Sequence, residues 1–467
     1  MKNLKAYSLN EWAFSFAFLV KVIAGFIFLY IYTDIYGNGS LSADASVFMT
    51  ESKILNDVFF VSPFDYFRLL FGLGNQEELM FTYLQDTSHW DAGAQTLIND
   101  NRNIVRVHSL FHFFSFNNTA NHIIAMCFVS TVAVKQFYLA LKDKTLLSNT
   151  TIFLLILLFP STLFWTSGIL KEPFMFLGLG LLVRGLCYDS SVKKKWLFAI
   201  IGLFILIGFK PYVLIAIIPA GLFLFLFKYV TKRKIIASLI LLMGILLIAV
   251  SLFSGQRKKT VHLLSRKQFD FKNVGKGGLH ALTDSTFYFF RQNQIKNLKI
   301  EGDSVLITKE MDALILKHGS MEKPIPIHLK PTGEKWFVYF KNLQSDGFIE
   351  VTLINDSFGQ LMKNIPEALI NSLFRPFISD PGGWLKYPAM IETLLLFLFL
   401  IYAIINKRVL SKNKIALIVA LVLFVLTLSL LIGWVTPVLG AIVRYRIPVY
   451  IALLVIAVMV IQPKKSR

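Results

Sequence analysis

The sequence predicts an all-α polytopic membrane protein with about ten transmembrane helices and an inserted, β-rich extracytoplasmic domain. Its 467 residues are 55% hydrophobic and only 16% charged. Several apolar runs approach the roughly 20 residues that cross a bilayer, and basic residues gather beside those runs. The formal net charge of +20 therefore indicates cytoplasmic loops and anionic lipid headgroups. No nucleic-acid-binding module accompanies this charge, so nucleic acid is not an expected partner.

The predicted spans are separated by short polar loops and by two long segments. The first span is predicted to be retained as a helix, because it is longer than a signal-peptide core and no A-x-A-like cleavage site follows it. The spans cover about 12–34, 120–141, 150–168, 173–189, 196–209, 212–230, 235–253, 387–406, 414–434 and 443–461.

Clusters of basic residues fall at every second loop of this arrangement. With ten spans, all the clusters face one side of the membrane, which the positive-inside bias makes cytoplasmic. Both termini are therefore predicted to be inside. The clusters lie within residues 2–5, 142–144, 193–195, 228–234, 407–414 and 464–467.

Two long segments are predicted on the outer face. The first, 35–119, contains NIVRVHSLFHFFSF (103–116), in which aromatic and basic residues alternate. That pattern is typical of a helix lying in the membrane interface. The second, 254–386, contains alternating patterns that indicate strands. The chain is thus divided into helices one to seven (1–253), the β-rich insert (254–386) and helices eight to ten (387–467).

Turn residues separate the predicted strands of the insert. They are Gly302-Asp303, Pro331-Thr332-Gly333 and Asp346-Gly347. The strand patterns between them include NLKIEGDSVLITKEM and EKWFVYFKNLQSDGFIEVTLIND.

The stretch PSTLFWTSGILKEPF (160–174) places two charged residues in an apolar run. Pro160, Gly168 and Pro173 punctuate it, and proline can open the next helix. Spans three and four are therefore predicted to form a hairpin whose tip lies at the outer water boundary. Lys171 is predicted to be the salt partner of Glu172 or an interfacial anchor.

Ionisable residues collect at the outer ends of several predicted spans. Asp44 follows span one, Glu172 lies at the hairpin tip, Lys210 lies at the next outer turn, and Arg444 and Arg446 open the last span. Boundary charges of this kind are functional candidates by default, although anchoring at the interface explains each cation taken alone. Carboxylates and cations on one face favour a site for an anionic substrate, since arginine binds phosphate through two parallel hydrogen bonds.

Three motifs carry a family resemblance. They are DASVFMTESKIL (44–55) in the first outer loop, PSTLFWTSGILKE (160–172) in the hairpin and RYRIP (444–448) at the last span. On these motifs the chain resembles the GT-C superfamily, the polytopic glycosyltransferases that use polyprenyl-phosphate-linked sugars. The resemblance covers the N-terminal half and the last span.

The resemblance implies transfer of a sugar, with inversion, from a lipid-phosphate carrier to a glycan, lipid or protein acceptor. The reaction would take place on the outer face of a bacterial cytoplasmic membrane. Asp44 would be the general base, and Asp34 is the alternative base. Glu172 would orient the acceptor or a divalent metal, but Ala45 stands where many members carry a second acidic residue, so no metal ligand set is assigned.

The phosphate leaving group would be stabilised by cations in this reading. Lys210, Arg444, Arg446 and Arg106 are the expected phosphate-binding residues. A second resemblance, to polysaccharide polymerases and O-antigen ligases of the Wzy type, gives the main role to outer-loop arginines instead. Arg102, Arg106, Arg375, Arg444 and Arg446 would then serve.

A non-enzymatic envelope assembly component is the third function that stays open, because the insert could bind a partner. Transport is disfavoured, since no inverted pair of Gly/Pro-broken spans occurs in the sequence. The charges Lys21, Lys135 and Arg184 lie within spans, and each is predicted to reach the nearer end of its span.

Histidines provide two weaker signals. His108 and His112 have the i, i+4 spacing of a helical metal pair, but an interfacial stripe is favoured because no third ligand is near in the sequence. DTSHWDAG (86–93) gathers Asp86, His89 and Asp91. It is interpreted as a solvated loop, with a sugar-binding subsite on its tryptophan as the alternative.

Overall fold

A computed structural model describes residues 9, 11–74, 76–90, 99–187, 191–232, 234–283, 286–316, 324–342 and 344–462. Over these residues the chain is a helical membrane protein with one antiparallel sheet. It divides into two compact units. Unit 1 comprises Met1–Lys228, Leu394–Val425 and Ile447–Arg467, and unit 2 comprises Tyr229–Thr393 and Leu426–Arg446.

The helices of the described residues are numbered in chain order. They are α1 (Glu11–Tyr30), α2 (Ala43–Val61), α3 (Pro63–Phe71), α4 (Gln76–Tyr83), α5 (Asp100–Ser115), α6 (Thr119–Leu141), α7 (Asn149–Leu157), α8 (Pro160–Trp165), α9 (Glu172–Cys187), α10 (Val192–Phe209), α11 (Pro211–Phe225), α12 (Ile235–Leu252), α13 (Ser254–Lys276), α14 (Phe358–Lys363), α15 (Ile365–Leu373), α16 (Lys386–Ile405), α17 (Lys412–Val435), α18 (Leu439–Tyr445) and α19 (Ile447–Val460).

Six helices of the described residues are long and apolar enough to cross a membrane. The number is seven if the bent pair α18 and α19 is taken as one span. The protein is therefore a multi-pass membrane protein. The six are Glu11–Ile35, Thr119–Leu141, Pro211–Val230, Ile235–Leu252, Lys386–Ile405 and Lys412–Val435.

The predicted spans three, four and five correspond to shorter or more charged helices. Span three is divided between α7 and α8, because Pro160 opens a new helix. At 1.5 Å per residue, α9 is only about 24 Å long, which is less than the roughly 30 Å of a bilayer core. Helix α10 has 18 residues and begins with three lysines.

In unit 1, α9 packs closely against α10 across facing glycines. A Cβ added at Gly202 would lie 2.6 Å from the carbonyl oxygen of Gly178 and 2.8 Å from the amide nitrogen of Leu182. Only hydrogen fits at such a position. Small residues of this kind let two helix backbones approach closely in a membrane.

The segment after α1 folds into unit 1 as a set of helices around a shared apolar core. Phe48 and Leu55 of α2 belong to this core, as do Ile104 of α5 and Ile169 beside the hairpin tip. Helix α3 begins where the Ser62 hydroxyl accepts a hydrogen bond from the Asp65 amide. These helices bring the first long segment and the hairpin tip together.

Unit 2 contains a seven-stranded antiparallel sheet with the strand order β3-β4-β7-β1-β2-β5-β6. Gly302 and Asp303 form the predicted turn between β3 and β4, and Gly302 has the positive φ of +59° that such a turn requires. The strands are β1 (Gly278–Thr283), β2 (Thr286–Arg291), β3 (Leu298–Glu301), β4 (Ser304–Ile307), β5 (Met311–Leu316), β6 (Ile325–Leu329) and β7 (Lys335–Asn342).

The sheet is shorter than the alternating patterns predict. Helix α13 precedes it and α14 and α15 follow it, so within 254–386 the strands occupy only residues 278–342 of the described chain. The predicted strand IEVTLIND is wrong, because the backbone groups at Thr352 and Ile354 are hydrogen-bonded by side chains instead of by a neighbouring strand. Gln268 donates to the Thr352 carbonyl at 3.0 Å and accepts from the Ile354 amide at 2.9 Å.

Candidate functional site

Charged side chains from three parts of unit 1 meet in one place. Asp100 begins α5, Lys171 and Glu172 lie at the start of α9, and Lys210 lies between α10 and α11. The Lys171 ammonium donates to a carboxylate oxygen of Asp100 and, at 2.6 Å, to the side-chain oxygen of Asn101. The Lys210 ammonium lies 2.9 Å from a carboxylate oxygen of Glu172. These four residues, with Arg102 and Arg106, are called the charged cluster below.

The Glu172–Lys210 pair of the charged cluster is deeply buried, whereas Asp100 of the other pair is 33% exposed. The side chains of Glu172 and Lys210 are 1% and 2% exposed. Desolvation opposes ionisation of Asp100, but the charge and hydrogen bond of Lys171, with the charge of Lys210, outweigh it and lower the pKa of Asp100 below its usual value. Buried charges require such partners, because an isolated ion in this environment costs several kcal/mol or more.

Two arginines of α5 add positive charge beside these pairs. The guanidinium groups of Arg102 and Arg106 lie over the Trp90 ring at 5.5 and 5.9 Å from its centroid. Arg102 donates through Nε to the His89 carbonyl at 2.7 Å, and Arg106 donates to the Leu69 carbonyl at 3.0 Å. Burial, and then the charge of Arg102, lower the pKa of Arg106 to about 10. Arg106 therefore stays cationic at neutral pH.

One face of α2 borders the charged cluster. Asp44, Phe48 and Glu51 lie at i, i+4 and i+7 of this helix, so they share a face. The Phe48 ring centroid is 6.0 Å from the Lys171 ammonium and 5.7 Å from the imidazole of His89. Asp44 is half-buried in the first turn of α2. This face thus carries two carboxylates toward the region of the cations.

The residues predicted for unit 1 lie in this region. Glu172 and Lys210 pair directly, and Arg106 is linked to the same turn through Asn103. Arg106 donates to Asn103 Oδ1 at 3.0 Å, and Asn103 donates to the Gly208 carbonyl at 2.8 Å. Asp34, the alternative base, is exposed in the π-helical segment Ile31–Ile35.

The two arginines predicted at the last span lie in unit 2. Arg446 is fully buried; it donates to Thr393 Oγ1 at 2.9 Å and to the carbonyl of Arg375. Arg444 Nη2 lies 3.4 Å from the Tyr445 hydroxyl. Their convergence with Asp44 and Glu172 stays a prediction.

Three expectations about buried charge are corrected by the structure. Lys171 pairs with Asp100 and Glu172 with Lys210, because the adjacent side chains of a turn point to different partners. The charges of the hairpin tip are covered by other residues of unit 1 instead of being exposed to water, and the position of the tip relative to the membrane stays a prediction. Lys21 is fully buried and does not reach an end of its span. Its ammonium donates to the Thr162 carbonyl and to Thr166 Oγ1, each at 2.8 Å.

Sequence reasoning missed Glu51 and Asp100 and underrated His89. Glu51 is buried and accepts hydrogen bonds from the Ser88 amide at 2.7 Å, the Ser88 hydroxyl at 2.8 Å and His89 Nδ1 at 2.7 Å. The DTSHW motif was the signal that could have identified this site. Its Asp91 lies outside the described residues.

The histidines of α5 belong to a second buried cluster. His108 Nδ1 and His122 Nδ1 are 2.9 Å apart, and His112 Nε2 lies 3.0 Å from the Ser52 hydroxyl. Burial lowers the pKa of His108 well below its usual value, so its imidazole is neutral. Within the described ranges, no group of three or more His, Cys, Asp or Glu side chains is arranged to hold a metal ion.

The fold and the site define a multi-pass helical membrane protein with a buried, fully paired set of charges beside an arginine pair. Comparison of the chain with protein-family models, with curated proteins and with solved structures finds no match.

Proposed function

We propose that the protein transfers a sugar from a lipid-phosphate carrier to a glycan, lipid or protein acceptor at the outer face of a bacterial cytoplasmic membrane. The observation that carries the proposal is the charged cluster of unit 1. Ionisable residues packed among membrane helices are costly and mark substrate sites by default. This cluster combines the two kinds of group that the reaction needs, cations for a phosphate and carboxylates for a hydroxyl acceptor.

The cations suit a phosphate leaving group. Arg102 and Arg106 present two guanidinium groups over one indole ring, and Lys171 and His89 both lie beside the Phe48 ring. Arginine forks match phosphate oxygens through paired hydrogen bonds. Donors that are fixed before the reaction stabilise charge as it develops on the leaving oxygen.

The carboxylates suit an acceptor hydroxyl. Asp44, which the resemblance to the GT-C superfamily makes the base, lies on the face of α2 that leads to Phe48 and Glu51. Glu172 is held by Lys210, so it is better suited to fixing the position of Lys210 than to accepting a proton. A divalent metal at this site remains part of the proposal without assigned ligands.

The proposed topology has ten spans with both termini in the cytoplasm. It adds three spans, formed by α7 with α8, by α9 and by α10, to the six long apolar helices and the bent pair α18 and α19. The basic clusters at alternate loops support it. In this arrangement the turn at Lys210 and the sheet of unit 2 are extracytoplasmic.

Lipid-linked glycans extracted from a strain that lacks the gene provide the test. We expect the carrier-linked sugar to accumulate in that strain. Reintroducing the wild-type gene should lower its amount again, which is called clearance here. Asp44→Asn and Arg106→Gln should each reduce clearance by about 10- to 100-fold, the value of one hydrogen bond to a charged group. Asp57→Asn is the control, because Asp57 lies on the same helix in an exposed pair with Lys53.

A second candidate, a polysaccharide polymerase or ligase, is favoured by the arginines of unit 2. Arg375 pairs with Asp380, and its carbonyl accepts from the buried Arg446. Accumulation of single carrier-linked repeat units, with loss of function in Arg444→Ala but not in Asp44→Asn, would favour this candidate over transfer. If the deletion changes no glycan, both enzymatic functions are wrong and an assembly component remains.

A further inference from the structure

We propose that His89 is the catalytic base of the transfer and that Glu51 is its positioning residue. This inference rests on the proposed function and deepens it, because it moves the proton-accepting role from Asp44 to a histidine–glutamate pair. Asp44 then binds the acceptor hydroxyl. Two features support this role: the fixed orientation of the His89 imidazole and the cations that lie beside it.

Glu51 fixes the tautomer of His89. Its carboxylate accepts from the amide and the hydroxyl of Ser88 and from His89 Nδ1, which lies 2.7 Å from Oε2. Ser88 donates twice to this buried carboxylate, and a carboxylate oxygen can only accept a hydrogen bond. Nδ1 of His89 therefore carries the proton, and the lone pair is on Nε2.

The imidazole of His89 is held by two contacts, and the backbone of His89 is held by a third. Glu51 holds Nδ1, the Phe48 ring packs at 5.7 Å from the imidazole centroid, and Arg102 holds the His89 carbonyl through a 2.7 Å hydrogen bond. The Glu51 side chain is 3% exposed and that of His89 is 20% exposed. The carboxylate thus lies inside the protein, whereas part of the imidazole remains accessible, which is the arrangement that a base with an orienting carboxylate needs.

Cations for the leaving group lie beside this base. Phe48 contacts both His89 and Lys171, and Trp90, the next residue after His89, contacts Arg102 and Arg106. A proton acceptor and phosphate-binding groups therefore border the same two aromatic side chains, Phe48 and Trp90.

The step balances without any further reactant. The acceptor hydroxyl gives its proton to His89 Nε2 as its oxygen attacks the anomeric carbon of the sugar. The bond between that carbon and the carrier phosphate oxygen breaks, and the electron pair remains on the phosphate, which the cations stabilise. The resulting imidazolium is stabilised by Glu51, and its proton is later released to water.

The test uses the full-length protein in detergent, with the lipid-linked glycan pool of the deletion strain as donor and the membranes of that strain as acceptor. We expect His89→Ala to lower kcat by about 10²- to 10⁴-fold, the usual contribution of a general base, without changing KM for the donor pool. Added imidazole should restore part of this kcat. Asp44→Asn should instead raise KM for the acceptor membranes and should not respond to imidazole.

Variants of Glu51 and a second variant of His89 separate positioning from folding. Glu51→Gln should lower kcat with KM retained, and Glu51→Asp should recover part of the loss. In the His89→Gln variant the side-chain amide can still donate a hydrogen bond to Glu51. This variant should therefore fold like the wild type and remain inactive. Asp57→Asn, on the same helix, is the control and should match the wild type.

Three results would overturn the inference. The first is that His89→Ala or His89→Gln keeps the wild-type kcat. The second is that imidazole restores no activity to folded His89→Ala. In either case the hydrogen bond between His89 and Glu51 has only a structural role. The proposed transfer would stand in that case, because the wild type converts the pool. If the wild type itself does not convert the pool, the proposed function and this inference both fail.

Discussion

Single charged residues in unit 1 are buried where their sequence neighbours alone would leave them at a water boundary. Glu172 and Lys210 are enclosed and paired, and Lys21 is enclosed with two oxygen acceptors. The physical reason is that apolar helices exclude water from all sides of these groups. A charge in such a place must be paired or hydrogen-bonded, since its desolvation cost is otherwise not offset.

The Glu172–Lys210 pair leads to a stability prediction. We expect Glu172→Leu or Lys210→Met alone to lower the free energy of unfolding by about 3–5 kcal/mol, because each leaves an uncompensated buried charge. The double variant should be close to neutral for the same reason. Thermal unfolding of the purified protein in detergent, analysed as a double-mutant cycle, measures the coupling.

The exposed pair Lys53–Asp57 is the matched control for that cycle. Its side chains are 38% and 52% exposed, so the coupling energy should be within about 0–1 kcal/mol. Equal couplings for the two pairs would show that burial does not set the strength of the Glu172–Lys210 interaction.

At the scale of elements, the helices of unit 1 are arranged by small residues as much as by apolar ones. Gly202 of α10 faces the backbone of α9 at Gly178 and Leu182. The same close packing brings the turn at Lys210 to Glu172 at the start of α9, because each of these residues lies at the end of one of the two helices. The position of the charged cluster therefore depends on this helix pair.

Replacing Gly202 by alanine tests this dependence. The added methyl group would overlap backbone atoms that cannot turn away, so we expect a loss of about 1–3 kcal/mol in the free energy of unfolding, the usual cost of overpacking. Thermal unfolding in detergent measures it. Gly221 of α11 is the matched control, since nothing lies within 4 Å of its added Cβ.

At Gly221, alanine should be neutral or should stabilise the helix by up to about 1 kcal/mol, because alanine has the higher helix propensity. If both substitutions had the same effect, the close approach of α9 and α10 would not be what makes Gly202 necessary.

At the scale of the whole molecule, the chain combines long apolar helices with a seven-stranded sheet in a separate compact unit. The proposed ten-span topology places the basic loops in the cytoplasm and the sheet outside. Helix α10, which has the length of α12 but carries three lysines in its first turn, decides this arrangement. If α10 does not cross the membrane, the loops before α10 and after α11 fall on opposite sides.

Reporter fusions test the topology directly. Fusions of a fluorescent cytoplasmic reporter after Ser191 and after Lys232 should both be fluorescent. An alkaline phosphatase inserted at the Gly302-Asp303 turn should be active, because that enzyme matures only outside the cytoplasm. An insertion after Asn406 should be inactive. Opposite signals after Ser191 and Lys232 would contradict ten spans.

The sequence by itself determined the class of protein, most of the long helices and the strands on either side of Gly302. These features follow from run length and from alternation, which are properties of neighbouring residues. Glu172, Lys210 and Arg106 could also be named in advance as boundary charges. Their partners could not, because pairing depends on which other helix covers each charge.

Only the tertiary structure decided how the charges combine. Glu51 and His89 are 38 positions apart in the chain, and Asp100 and Lys171 are 71 positions apart. No local pattern relates residues at such separations. Burial by helices from elsewhere in unit 1 removes water from these groups, and that desolvation converts ordinary loop and helix residues into paired charges with fixed orientations.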